Sequence, residues 1–107
     1  MFVGTLTLDL LLGDIRSLKQ KRAAVRPIVS EVRRRFEVAA AEVGHLELYR
    51  RTELGVAVVA ADAGHCRHVL EAVERMVADR PEIEVLSAHP HVRSDEDDPL
   101  PTGGRDG

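Results

Sequence analysis

Residues 2–36 read FVGTLTLDLLLGDIRSLKQKRAAVRPIVSEVRRRF, and the fold turns on the change of period inside them. Up to Leu12 the chain alternates. Phe2, Leu6, Leu8, Leu10 and Leu12 point one way, and Val3, Thr5, Thr7 and Asp9 point the other, as in a strand covered on one face. Gly13-Asp14 breaks the alternation, and Ser17 stands where an N-cap belongs for a helix running to about Phe36. On a wheel of about 100° per residue, Leu18, Val25, Ile28, Val29, Val32 and Phe36 form one apolar stripe. Pro27 removes one backbone bond and predicts a kink in what is still read as a single helix.

Working outward, Phe36–Val43 reads as a second strand and 44–51 as a polar connection with a short helical turn. Glu53–Ala61 (ELGVAVVAA) is apolar on both faces, as a central strand is. Asp62 caps a second helix, roughly Gly64–Asp79, with Cys66, Val69, Leu70, Val73, Met76 and Val77 at i, i+3, i+4 spacing. Arg80-Pro81 ends it, and Glu82–Ala88 alternates as a last strand. From His89 onward no apolar pattern is left, and 89–107 reads as a disordered acidic tail behind a single domain over 1–88. The order βαββαβ predicts an α+β, ferredoxin-like plait. Its antiparallel four-stranded sheet has order 4-1-3-2, with both helices on one face.

With that order in place, MFVGTLTLDLLLGDIRSLKQKR, FEVAAAEVGHLEL and LGVAVVAAD resemble the YlxP-like proteins, a bacterial family of unknown function (domain of unknown function 503). The likeness covers about residues 1–88 and rests on Ser17, Leu18, Lys19, Lys21, Arg22 and Glu42. It implies the ferredoxin-like fold and a gene neighbourhood of transcription and translation factors, beside ribosome-binding factor A. It implies no established activity. Pro27 and the acidic tail look atypical.

The chain of 107 residues carries a net charge of −3. Between Ile15 and Phe36, however, eight basic residues face the single acid Glu31, so that window carries +7 and the remainder −10. Such asymmetry points to an anionic partner. Lys19, Arg22, Arg26 and Arg33 share one flank of the helix, Arg34 lies further round, and the Cα of Lys21 falls on the apolar stripe. The expectation is a non-enzymatic protein that binds RNA or a ribosomal particle, with Lys19, Lys21, Arg22, Arg26, Arg33 and Arg34 on phosphates. The bland reading is a solvated face whose cations pair with the acidic remainder, including Asp95-Glu96-Asp97-Asp98 in the tail.

The open sheet face offers no aromatic from strand one or three, which argues against base stacking there. The doubly apolar third strand suggests instead a homodimer through that face, or a protein-interaction module without nucleic acid. Asp9, Glu42 and Glu53 should meet at one end of the sheet, beside Lys21. Ion pairing of Lys21 with Glu42 or Asp9 is expected there in preference to a carboxylate–lysine reaction site. The His65-Cys66-x-His68 and His89-x-His91 pairs fall short of two converging zinc-ligand clusters, so no metal or cofactor is expected. No phosphate loop, nucleophile elbow or HExxH is present. The single cysteine fits a reducing cytoplasm, and the alternating N-terminus is neither a signal peptide nor a membrane helix.

Overall fold

The computed structural model describes residues 1–96. Six elements follow one another: β1 (Phe2–Leu11), α1 (Leu18–Phe36), β2 (Ala39–Gly44), β3 (Arg51–Ala60), α2 (Ala63–Ala78) and β4 (Glu84–Ser94). All pairings are antiparallel. The strand order is β2-β3-β1-β4, which is the expected 4-1-3-2 counted from the opposite edge. This is the ferredoxin-like plait.

The alternation of β1 does what its period dictates. Leu6, Leu8, Leu10 and Leu12 are buried, while Thr5 is exposed and Thr7 and Asp9 are half-exposed. On β3, Leu54, Val56 and Val58 turn inward with Thr52, and Glu53, Gly55, Ala57 and Val59 turn outward. The inner residues meet Val25, Ile28 and Val32 of α1 and Cys66, Leu70, Val73 and Val77 of α2 in one core. Gly4 lets α2 approach closely. A Cβ there would stand 3.1 Å from Cys66 Cβ, Leu70 Cδ1 and Val58 Cγ1.

Both helices start at the capping residues that the sequence offers. Ser17 Oγ accepts from Gln20 N at 3.1 Å, and Asp62 Oδ1 accepts from His65 N at 2.8 Å. α1 runs through Pro27 as one continuous helix. Pro27 and Ala23 are both exposed, so water can satisfy the Ala23 carbonyl that loses its donor.

Two boundaries differ from expectation. The second strand starts at Ala39 instead of Phe36. The helix keeps Phe36, and Glu37 then closes it in the left-handed region (φ 54), donating its N–H to Arg33 O. The last strand begins at Glu84 and runs through His89-Pro90-His91 to Ser94, so the domain extends beyond 88 and the tail does not begin at 89. A proline is tolerated there because β4 is an edge strand with β1 as its one neighbour. His89, Pro90 and His91 are all exposed, which removes the alternation that would have marked the strand. Asp95 meets the N-terminus, accepting from the Met1 ammonium at 3.2 Å, and does not lie over α1. Glu96 N donates to Ser94 Oγ at 3.1 Å, and residues 97–107 of the tail lie outside the described residues.

Candidate nucleic-acid interface

α1 distributes its cations in three ways. Lys19, Arg22, Arg26, Arg33 and Arg34 are exposed, and among the described residues none of them pairs with a carboxylate. Arg22, Arg26 and Arg33 line a groove of about 350 Å³ between α1 and β2, together with Val29, Ala41 and Glu42. Lys19 precedes them on the same flank and Arg34 lies on the other side. Arg33 Nε donates to Ala40 O at 3.0 Å, so its guanidinium sits on the free edge of β2. From Lys19 to Arg33 the ridge extends about 21 Å at 1.5 Å per residue.

The one acid of the helix turns away from this ridge. Glu31 Oε1 accepts from Arg80 at 2.6 Å, on the side facing α2. Nothing in the sequence pattern identified Arg80 as its partner, 49 residues away. Arg16 is also neutralised, by Asp14 at 3.3 Å, and Arg35 lies over the Phe36 ring.

Lys21 does not belong to the ridge. Its side chain is 2% exposed and its Nζ lies 2.9 Å from Glu42 Oε2. It also donates to His45 O, and Glu42 Oε2 accepts from Thr52 Oγ1 at 2.7 Å. A residue on the apolar stripe must follow the core, so its stem is buried and its ammonium ends against the β2 carboxylate. It is withdrawn from phosphate, which corrects its place among the expected contact residues.

The other carboxylates at this end of the sheet are held separately. Asp9 accepts from Arg51 Nη2 at 2.6 Å and from Arg51 Nε at 3.2 Å, and His45 Nε2 stands 3.6 Å from Asp9 Oδ1. The Arg51 hydrogen bonds hold the Asp9 carboxyl below the usual range, against the opposing effect of burial. The unfolded chain therefore binds the proton more readily, so this contribution to stability is whole above about pH 4 and vanishes as pH falls through the folded value. Arg51 is about a third exposed, which limits the pair to about 0.5 kcal/mol. Asp9→Asn should lower the urea midpoint slightly at neutral pH and leave it unchanged near pH 2. An equal loss at both pH values would refute the ionic origin.

Asp9 and Glu42 are each engaged in an ion pair, and among the described residues no three His, Cys, Asp or Glu side chains gather as a metal-binding group. Cys66 is buried, while His65, His68, His89 and His91 are exposed. Among the described residues, no helix is long and apolar enough to cross a membrane.

A family described as "Protein of unknown function (DUF503)" matches residues 3–90. The uncharacterized protein YlxP of Bacillus subtilis (strain 168) is 30% identical over 82 residues, covering 77% of this chain and 89% of its own. Among solved structures, a de novo designed protein with a ferredoxin fold aligns with a TM-score of 0.49 and 14% identity, over 88% of this chain and 87% of its own.

Proposed function

Because the chain belongs to the DUF503 family, whose description assigns no activity, we propose from its own geometry that it is a non-enzymatic cytoplasmic protein that binds RNA or a ribosomal particle through α1. One observation carries this reading. Six cations (Lys19, Arg22, Arg26, Arg33, Arg34 and Arg35) stand exposed on one helix without carboxylate partners among the described residues, four of them on one flank, while the only acid of that helix is bonded elsewhere. A folded acidic protein gains nothing in stability by concentrating like charges on one ridge, since neighbours at i, i+4 repel. A polyanion reverses that repulsion by neutralising each cation and releasing its own counterions. The ridge lies along one continuous helix, so it suits backbone contact and shape.

The test is co-sedimentation with ribosomal subunits, and mobility shift with structured RNA, across a salt series. Four contacts give a log–log slope of about −3 to −4. A flat salt dependence, or no binding at low salt, defeats the reading.

A second reading is favoured by the outer sheet face. Val43, 54% exposed, lines a depression of about 560 Å³ with Ala39, Ala41, Gly55 and Ala57, and Val59, 62% exposed, turns outward on the same strand as Gly55 and Ala57. A second copy seated there would make the protein an oligomeric interaction module. Light scattering at micromolar concentration should then give twice the chain mass of 11.8 kDa. A monomer removes this alternative.

A further inference from the structure

β2 is an edge strand. β3 pairs with one side of it, and among the described residues no strand pairs with the other. A residue of an antiparallel ladder turns its N–H and its C=O to the same side. Arg33 Nε reaches Ala40 O from α1, so Ala40 presents both groups to the free side, and Glu42, two residues on, follows. Among the described residues no backbone group bonds to them there, and the Arg33 side chain stands in at Ala40 O for a missing strand. The opposite edge is protected, because Pro90 of β4 has no N–H to offer. β2 carries no proline, and its bulge lies past Glu42. Along this free edge runs the groove between α1 and β2. Val25, Val29 and Ala41 line it with apolar side chains, and Arg22, Arg26 and Arg33 add three guanidinium groups. Glu42 adds no free charge, because Lys21 Nζ neutralises its carboxylate at 2.9 Å.

We propose that this edge and groove together dock an extended acidic segment of a partner protein, added as a further strand beside β2. The open N–H and C=O groups of Ala40 and Glu42 supply the ladder, and the groove supplies the selection. Alternate side chains of an added strand point to opposite faces. One set meets the arginines, and the other lies beside the small exposed Ala39 and Ala41 of the outer face. The segment therefore alternates acidic with apolar residues. Arg22 and Arg26 stand about 6 Å apart along the helix, and alternate side chains of a strand about 6.6 Å, so successive acids meet successive arginines. Ala40 O has a second lone pair, so an incoming N–H joins Arg33 there, and a carboxylate completes the Arg33 guanidinium. A second copy does not fit, because pairing β2 with β2 across a two-fold axis brings two sets of these arginines together. The proposal shares cations with the RNA reading but needs the backbone edge, which a phosphate chain does not use, so each stands or falls separately.

The probe is a fluorescein-labelled peptide of eight residues alternating glutamate and valine, titrated with the full chain at low salt. Two further peptides carry N-methyl groups, one on every glutamate and the other on every valine. Only one of the two sets of N–H groups can face β2, so one methylated peptide should bind about tenfold more weakly and the other as the parent does. A peptide with lysine for glutamate should not bind. Amide hydrogen exchange at Ala40 and Glu42, read by NMR, should slow about tenfold on adding the parent peptide and stay unchanged on adding a structured RNA hairpin. No binding of the parent peptide, equal affinities or equal losses in the two methylated peptides, or binding of the lysine peptide overturns the proposal. Equal slowing of exchange by RNA overturns it too, because the edge then belongs to the nucleic-acid surface. Failure of the chain to bind RNA at all is a separate outcome and bears only on the ridge.

Discussion

Arg22→Glu combined with Arg26→Glu should lower affinity for structured RNA by about a hundredfold at physiological salt and leave the folding transition where it was. The two positions are one helical turn apart, both exposed, and both line the groove beside β2. Neither pairs with a carboxylate among the described residues, so reversal breaks no ion pair within the fold. Surface changes of this type stay within about 0.5 kcal/mol of stability. Each lost phosphate contact is expected to weaken binding about tenfold, equivalent to about 1.4 kcal/mol. The salt slope should fall by about one for each. Arg33→Glu is a poorer test, because Arg33 also donates to Ala40 O and its loss exposes an edge carbonyl. Mobility shift at several salt concentrations, with a thermal melt of each variant, separates binding from folding. An unchanged affinity in the double reversal removes the ridge from function.

The contrast among these lysines and arginines shows where sequence reasoning succeeds. Period two and period 3.6 carry the faces of β1 and α1, because side-chain direction along a regular element is fixed by local geometry. The same rule set Lys21 apart, since a cation on the apolar stripe has to bring its charge to a partner. The sequence narrowed that partner to Glu42 or Asp9. The choice fell to β3, which begins at Arg51 and places that guanidinium on Asp9, leaving Glu42 for Lys21. Glu31 with Arg80 could not be read, because the pair depends on how α1 lies against the end of α2. β4 was truncated because His89, Pro90 and His91 are all exposed and interrupt the alternation, although Val85, Ala88 and Val92 on either side pack against the core. The connection between β2 and β3 was read as polar because an irregular segment has no period, yet Leu46, Leu48 and Tyr49 stand exposed on it. These side chains are as compatible with burial as with exposure until the neighbouring backbone is in place.

Lys21→Met should destabilise the protein by about 3 kcal/mol without weakening RNA binding by the folded chain. Methionine keeps the unbranched stem that the core packs against, so the change isolates the charge. Once the ammonium is gone, Glu42 faces an environment arranged for an ion pair, and the His45 carbonyl loses one of its two donors, keeping Leu48 N. Glu42 is 22% exposed and can relax partly toward water, which keeps the loss below that of a fully enclosed pair. Adding Glu42→Gln removes the orphaned charge and preserves an acceptor for Thr52 Oγ1, so the double variant should recover most of the loss. Urea denaturation of the native chain, both single variants and the double variant closes a mutant cycle, and a coupling of about 1–3 kcal/mol is expected. Lys21→Met as stable as the native chain would refute the ion pair. Loss of RNA affinity in a folded Lys21 variant would return that residue to the contact set. If both expectations hold, the contact surface is confined to the exposed cations of α1, and Lys21 serves to fix the hairpin against the helix that bears them.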